Sequence, residues 1–185
     1  MLFRSDSDHV SGVTALLARM NVLEVLLPDD PDGMESWDAI CSAAREAGAE
    51  ITCIREKTTL EFGSGTLTVY PPLGDNADNE KGLTVLASYG EMDFLITGDM
   101  SSATERRLLE TWELPDIEAL AVGHHGAKTS TSAALLEALK PETALISVGP
   151  NSYGHPADET LRRLTAADCT ICRTDLQGSI HLTLN

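Results

Sequence analysis

Apolar and polar positions along the chain follow two different periods, which predict a succession of short strands and helices. Helical spacing, with turn or capping residues at the ends, predicts helices over residues 9–19, 35–47, 102–111, 131–139 and 157–167. Short apolar or alternating runs predict strands over residues 22–27, 50–54, 117–122 and 143–148, and two further strands at the end of the chain. Two strand pairs around glycine turns predict hairpins over residues 58–70 and 83–96.

The order of these elements indicates an α/β fold. Hairpins dominate the first half and strand–helix units the second, which favours mixed sheets covered by helices. With 185 residues, the chain is predicted to form a single domain over residues 1–185. Ligands in such folds bind beyond the carboxyl ends of the strands. Asp99, His124 and the segment 151–155 all follow predicted strands, so we expect them at a common site.

Composition and charge narrow the classes of function. The chain contains no apolar run of membrane-spanning length and no signal peptide pattern. Its net charge of −16 disfavours a protein that grips nucleic acid over its whole surface. A phosphodiester substrate stays compatible with this charge, because a bound divalent cation supplies positive charge locally. The four cysteines are predicted to be core thiols; they are Cys41, Cys53, Cys169 and Cys172.

Four of the five histidines stand in short segments that also carry acidic or small polar residues. Asp8-His9 opens a predicted helix, Asp99 ends a predicted strand, and His124-His125 lies between glycines. Imidazole nitrogens and carboxylate oxygens together are typical ligands of zinc and manganese, so these residues predict a metal site. His124 is the preferred ligand of the pair because it ends a strand; the other histidine would orient substrate or transfer a proton. The fifth histidine, His181, is expected to be an ordinary strand residue.

The segments around the histidines offer groups that can contact an anion. Lys128 and Ser130 can present a cation and amide N–H groups to a phosphate oxygen, although Ser130 or Ser132 can equally cap the next helix. His155 is a candidate general acid or phosphate contact, and its alternative is a turn histidine bonded to backbone. Glu105 occupies the capping-box position of the helix that begins at Ser102.

The motifs together resemble a known superfamily. Their order is Asp-x-Asp-His at residues 6–9, Thr-Gly-Asp at 97–99, His-His-Gly-x-Lys-Thr-Ser at 124–130 and Tyr-Gly-His-Pro at 153–156. It resembles the metallo-β-lactamase superfamily and, within it, the C-terminal hydrolase domain of ComEC-type competence (DNA-uptake) proteins, over essentially the whole chain. The resemblance implies an αββα sandwich of mixed sheets with helices outside.

The resemblance also implies an activity and a set of site residues. The activity is metal-dependent hydrolysis of a phosphodiester, with single-stranded DNA as the substrate during DNA uptake and zinc or manganese as the metal. The implied catalytic residues are Asp99, His125, Lys128 and His155. The implied metal ligands are Asp6, Asp8, His9, Asp99, His124 and His125. Asn79 matches an asparagine of the family pattern.

The chain departs from that pattern at its start. Arg4 stands where the family has a metal-ligating histidine, and the strands that normally precede this motif are absent. These features predict an N-terminally truncated domain that lacks its first strands, has weakened activity and self-associates through the exposed sheet edge. The resemblance implies that full-length relatives are membrane proteins with a channel domain in the same chain. Two alternatives are an inactive remnant that packs against a partner, and a hydrolase of a small ester, lactone or phosphorylcholine.

Overall fold

The computed structural model of the protein describes residues 7–29, 36–74 and 78–183. The strands are β1 Glu24–Pro28, β2 Glu50–Ile54, β3 Thr58–Phe62, β4 Gly65–Tyr70, β5 Thr84–Tyr89, β6 Met92–Ile96, β7 Ala119–Ala121, β8 Thr143–Ile146 and β9 Thr170–Arg173. The α-helices are α1 Ser7–Val10, α2 Val13–Leu17, α3 Trp37–Ala47, α4 Ser102–Thr111, α5 Ala133–Leu139, α6 Asp158–Ala166 and α7 Thr174–Gln177. Short 3₁₀ turns cover Asp78–Glu80 and Gly123–Gly126.

The strands form two sheets. The larger sheet has seven strands in the order β3-β4-β5-β6-β7-β8-β9, antiparallel from β3 to β6 and parallel from β6 to β9. The smaller sheet contains β1 and β2 as a parallel pair. The predicted fold of mixed sheets with helices outside is therefore confirmed.

Burial along β1 shows how the layers stack. Val25 and Leu27 are fully buried and pack with Val13 and Ile40 of the flanking helices. Leu26 points the other way and packs with residues of the larger sheet such as Val85. A strand that is covered on both faces reads as a continuous apolar run, as β1 does. On the far side of the larger sheet, α4, α5 and α6 contribute Leu108, Leu135 and Leu164 to the main core.

The larger sheet has one end at which β4, β6, β7, β8 and β9 all finish, and we call it the site end. Because β3 and β5 run in the opposite direction, they begin there. The β2–β3 connection consists of residues 55–57 alone, so β2 and its parallel partner β1 also finish near the site end. Every loop that follows a parallel strand therefore meets the others at this end, as expected for an α/β sheet.

Several predicted elements differ from those observed. The helix over residues 9–19 is divided into α1 and α2 by Ser11 and Gly12. In place of the second terminal strand, the chain forms the short helix α7, which Thr174 anchors by accepting a hydrogen bond from Val148 N and donating one to Val148 O. His181 consequently lies outside any strand, and residues 178–183 contain none.

Two further predictions concern the surroundings of the domain. Within the described ranges, no helix is both long and apolar enough to cross a bilayer. Among these same residues, β1 pairs with β2 on one side and with no strand on the other. Self-association through an open sheet edge stays a prediction.

Candidate metal centre

Asp99 is the carboxylate around which the histidines gather. It follows β6 at the site end, and its side chain is only 3% exposed. Gly98 precedes it with a φ of 64°, a left-handed turn that glycine adopts without strain. A carboxylate buried this deeply requires positive charge or several hydrogen-bond donors close by.

Three imidazoles approach Asp99 from two different parts of the chain. His9 Nε2, on α1, lies 3.3 Å from Asp99 Oδ1. His124 Nε2 lies 3.4 Å from Asp99 Oδ2, and His125 Nε2 lies 4.0 Å from the same oxygen. The two carboxylate oxygens thus face different histidines.

The donor set fits a divalent metal ion. One ligand atom each of His9, Asp99 and His125 lies within 4.8 Å of the other two. Two ligand atoms that are each about 2.1 Å from one tetrahedral ion are about 3.4 Å apart, which matches the closest histidine–carboxylate distances here. Nitrogen and oxygen ligands of this kind suit zinc and manganese.

The His124–His125 turn is strained and held in place by its neighbours. Both histidines have left-handed backbones, with φ of 51° and 53°. For residues other than glycine this conformation costs about 1–2 kcal/mol each. His124 N donates to Gly98 O at 3.1 Å, and Ala127 N donates back to His124 O at 2.8 Å. The turn is therefore tied directly to the loop that carries Asp99.

A backbone hydrogen bond orients the His125 ring. Its Nδ1 lies 2.7 Å from Ser147 O, at the end of β8. When Nδ1 carries the proton and donates to this carbonyl, Nε2 is left as an acceptor facing Asp99, which is the usual arrangement of a metal-binding histidine. The sequence preference for His124 assumed that it ends a strand, but β7 finishes at Ala121. The hydrogen bond between the His125 ring and Ser147 O therefore favours His125 as the metal ligand of the pair.

His155 lies beside the site and is held by a polar loop. Asn151 Oδ1 accepts from His155 N at 3.0 Å, and Asn151 Nδ2 donates to His155 O at 2.8 Å. The ring centroid of His155 is 5.6 Å from that of His124. Its buried Nδ1 has no hydrogen-bond partner within the described part of the chain. Burial, followed by the charges of His124 and His125, lowers the pKa of His155.

The loop after the histidines only partly matches its predicted roles. Ser130 is buried and its hydroxyl donates to Met100 O at 2.8 Å, so it is a structural residue and the predicted contact with an anion is wrong. Ser132 caps α5 by accepting from Leu135 N at 3.2 Å, as its alternative role predicted. Lys128 is exposed on the same loop.

Two charged side chains clamp this loop by bonding to its backbone groups. Glu105 is fully buried and accepts hydrogen bonds from Thr131 N and from Ser132 N, the latter at 2.8 Å. Arg163 donates to Ser130 O at 2.8 Å and to Thr131 O at 2.9 Å. The capping-box role predicted for Glu105 is therefore wrong. Burial raises the pKa of its carboxyl, while the backbone donors and the charge of Arg163 oppose that shift.

Gly126 offers a test of how closely the histidine loops are packed. Its φ is 84°, and a Cβ built there would lie 2.6 Å from Pro156 Cβ. We expect Gly126→Ala to lower the free energy of unfolding by about 3 kcal/mol, combining backbone strain with displacement of the 155–156 loop. Urea denaturation measures this change.

Gly154→Ala is the matched control for that substitution. Gly154 has a φ of 77°, but a Cβ added to it would meet no atom within 4 Å, so only the backbone strain applies. We expect a loss of about 1 kcal/mol. Equal losses in the two variants would show that packing against Pro156 contributes nothing.

Not every predicted ligand can be placed. Arg4 and Asp6 lie outside the described residues, as does the side chain of Asp8. Glu80 was not identified from the sequence. Its carboxylate accepts hydrogen bonds from Ser101 N at 3.2 Å and from the Thr104 hydroxyl at the start of α4. The neighbouring Asn79 lies in the same 3₁₀ turn. A polar 3₁₀ turn within a long loop leaves no periodic signal in the sequence.

No protein-family model matches the chain, but it is similar in sequence to several characterised proteins. It is 28% identical over 184 residues to ComE operon protein 3 of Bacillus subtilis, covering 98% of this chain and 24% of that protein. It is 27% identical over 186 residues to Recombination protein 2 of Haemophilus influenzae, covering 98% and 22%. It is 34% identical over 110 residues to Competence protein ComA of Neisseria gonorrhoeae, covering 58% and 16%. The chain thus spans about a quarter of these relatives or less.

Solved structures identify the fold. CmlA, a diiron β-hydroxylase from Streptomyces venezuelae, matches with a TM-score of 0.63 and 16% identity, over 94% of this chain and 42% of that one. Tm1679, a metal-dependent hydrolase of the β-lactamase superfamily, matches with a TM-score of 0.52 and 16% identity, over 86% and 71%. The chain is therefore similar in sequence to ComE operon protein 3, Recombination protein 2 and a competence protein, and it has the metallo-β-lactamase fold.

Proposed function

We propose that the chain is a metal-dependent hydrolase domain that cleaves a phosphodiester, with single-stranded DNA as the substrate class. The observation that carries this proposal is the convergence of three imidazoles on the buried carboxylate of Asp99. Burial of the Asp99 carboxylate costs desolvation free energy, so this arrangement of histidines at metal-ligand spacing is not explained by stability alone.

The proposed ligands are the histidines around Asp99 together with the acidic residues of the first motif. His9, Asp99 and His125 form the best-defined set, and His124 lies against the second oxygen of Asp99. Asp8 and Asp6 are proposed from the sequence motif. A bound divalent ion, zinc or manganese, supplies positive charge that polarises the phosphoryl oxygens and acidifies water.

The surrounding residues have separate roles in this proposal. A ring N–H of His155 would donate a hydrogen bond to a phosphate oxygen. Lys128 extends from the clamped loop and offsets the charge of the phosphate. Glu105 and Arg163 hold that loop without touching the substrate.

The names of the relatives support the DNA substrate. The chain aligns over nearly its full length with ComE operon protein 3 and Recombination protein 2, and over 110 residues with a competence protein. We propose that the domain degrades one DNA strand during uptake, as part of a longer protein whose other regions associate with the membrane.

The test is hydrolysis by metal-free protein that has been reloaded with Mn²⁺ or Zn²⁺. We expect the reloaded protein to cleave a labelled single-stranded oligonucleotide and bis(p-nitrophenyl) phosphate. We expect no cleavage of either substrate when a metal chelator is present. p-Nitrophenyl acetate and phosphorylcholine serve as comparison substrates. Metal-dependent turnover of these comparison substrates without phosphodiester cleavage would contradict the proposal and favour a small-ester hydrolase.

A further inference from the structure

A second polar pocket opens at the site end, apart from the histidines. It has a volume of about 490 Å³ and is lined by Asp29, Ile54, Arg55, Pro71, Pro72, Gly74 and Lys81. Among the described residues of the lining, Arg55 and Lys81 are cations and Asp29 is an anion. Two prolines in the wall have restricted backbone torsions.

Arg55 is the anchored cation of this pocket. Its Nε donates to Asp29 Oδ2 at 2.7 Å, and its Nη2 donates to Asp29 Oδ1 at 3.1 Å. The guanidinium has five N–H donors, so this pair leaves three that no described residue accepts. Its side chain is 73% exposed. A guanidinium that is fixed by one carboxylate and still offers donors is well suited to a phosphate.

Strand topology places the pocket at the same end as the metal centre. Pro71 and Pro72 follow β4, Arg55 follows β2, and Asp99 follows β6, all of which finish at the site end. The connection is also direct, since Glu80, the neighbour of Lys81, bonds to Ser101 N two residues after Asp99. Arg107 of α4 likewise donates to Leu73 O at 3.1 Å.

Acidic side chains are concentrated at the end of the larger sheet opposite the site end. Near the site end, the β2–β3 connection carries Arg55 and Lys57, although Glu56 lies between them. At the opposite end, six glutamates lie at or next to the ends of strands: Glu24, Glu50, Glu61, Glu91, Glu118 and Glu142. The sequence alone does not reveal this concentration, because the six glutamates are far apart along the chain.

We infer that this pocket binds a second phosphate of the same DNA strand, away from the phosphodiester that is cleaved. The inference rests on the proposed function. A strand that spans both sites contacts the metal centre with one phosphate and Arg55 and Lys81 with another. The pocket would then make a polymeric phosphodiester a better substrate than a small one, because only the polymer reaches both sites.

Binding without catalysis tests the pocket directly. Fluorescence anisotropy of a labelled deoxythymidine oligonucleotide, measured in EDTA across a salt series, reports on the cations alone. We expect Arg55→Gln and Lys81→Gln each to weaken binding and to reduce the slope of log K against log [salt] by about 0.7, the value for one single-strand phosphate contact.

Lys140→Gln is the matched control. Lys140 is an exposed lysine paired with Asp116 at 3.0 Å, and it lies just before β8 at the opposite end of the sheet. This variant should bind like the wild type. Identical affinity and salt slope in all three variants would overturn the inference, as would failure of the wild type to bind at low salt. Displacement of the oligonucleotide by millimolar inorganic phosphate at constant ionic strength would instead identify a free-phosphate site and also overturn it.

A kinetic comparison separates this inference from the proposed function. With Mn²⁺, Arg55→Gln should lower kcat/KM for the oligonucleotide several-fold and leave kcat/KM for bis(p-nitrophenyl) phosphate unchanged. Equal losses on both substrates would place Arg55 at the reacting phosphate and contradict a remote role. If neither substrate is cleaved, the proposed function fails, while the anisotropy measurement still decides whether the pocket binds a strand.

Discussion

Asp99→Asn should abolish metal-dependent hydrolysis, with a loss in kcat/KM on the order of 10³-fold or more. The substitution keeps the volume of the side chain but removes the charge on which three imidazoles converge. An amide also has one oxygen, so it cannot face His9 and His124 with equivalent acceptors. Metal content of the purified variant and its phosphodiester cleavage are the two measurements.

Asp93→Asn is the control: it removes a carboxylate from β6, the strand that precedes Asp99. Asp93 lies at the other end of β6, where it accepts a hydrogen bond from Ser88. It should retain wild-type metal content and activity. Undiminished hydrolysis in Asp99→Asn would show that the reaction takes place elsewhere in the molecule, whatever the metal content.

Glu105→Gln should lower the free energy of unfolding by about 3 kcal/mol, the second large effect that we expect. The two oxygens of Glu105 each accept one buried backbone N–H, from Thr131 and Ser132. A glutamine offers one oxygen, so its amide NH₂ would face the second N–H group and leave it buried without an acceptor. Because Gly123 N also bonds to the Thr131 hydroxyl, the histidine turn should loosen and metal affinity should fall about tenfold.

Glu110→Gln makes the same chemical change on an exposed position of α4. Its unfolding midpoint in urea and its metal affinity should equal those of the wild type. A stability loss in Glu105→Gln without any change in metal affinity would show that the clamp supports the fold but not the site.

Much of the architecture was predictable because its elements are bounded by strong local signals. The strand Glu50–Ile54 and the helix Ser102–Thr111 were predicted with the observed limits. The terminal strand was not, since the hydrogen bonds from Thr174 to β8 residues favour a helix there through contacts that no local pattern reveals. The break between α1 and α2 likewise falls at a glycine that a helical pattern tolerates.

The site was predictable in its residue types but not in its internal geometry. Motif order pointed to His9, Asp99 and the His124–His125 pair, whose nitrogens the structure brings within 4.0 Å of the carboxylate. The left-handed backbone of that pair could not be foreseen, because only a few per cent of residues other than glycine adopt it. Glu105 was assigned to a helix cap because its hydrogen-bond donors lie 26 and 27 residues away in the chain.

The residues around Asp99 come from α1, β6, the turn after β7 and the loop after β8, so they span most of the chain. Such a site has high contact order, and its parts meet only when the sheets and the first helix have docked. A partly folded chain would therefore lack the complete ligand set. Metal uptake during refolding should follow the slowest folding phase, and added metal should raise the unfolding temperature by mass action on the native state alone.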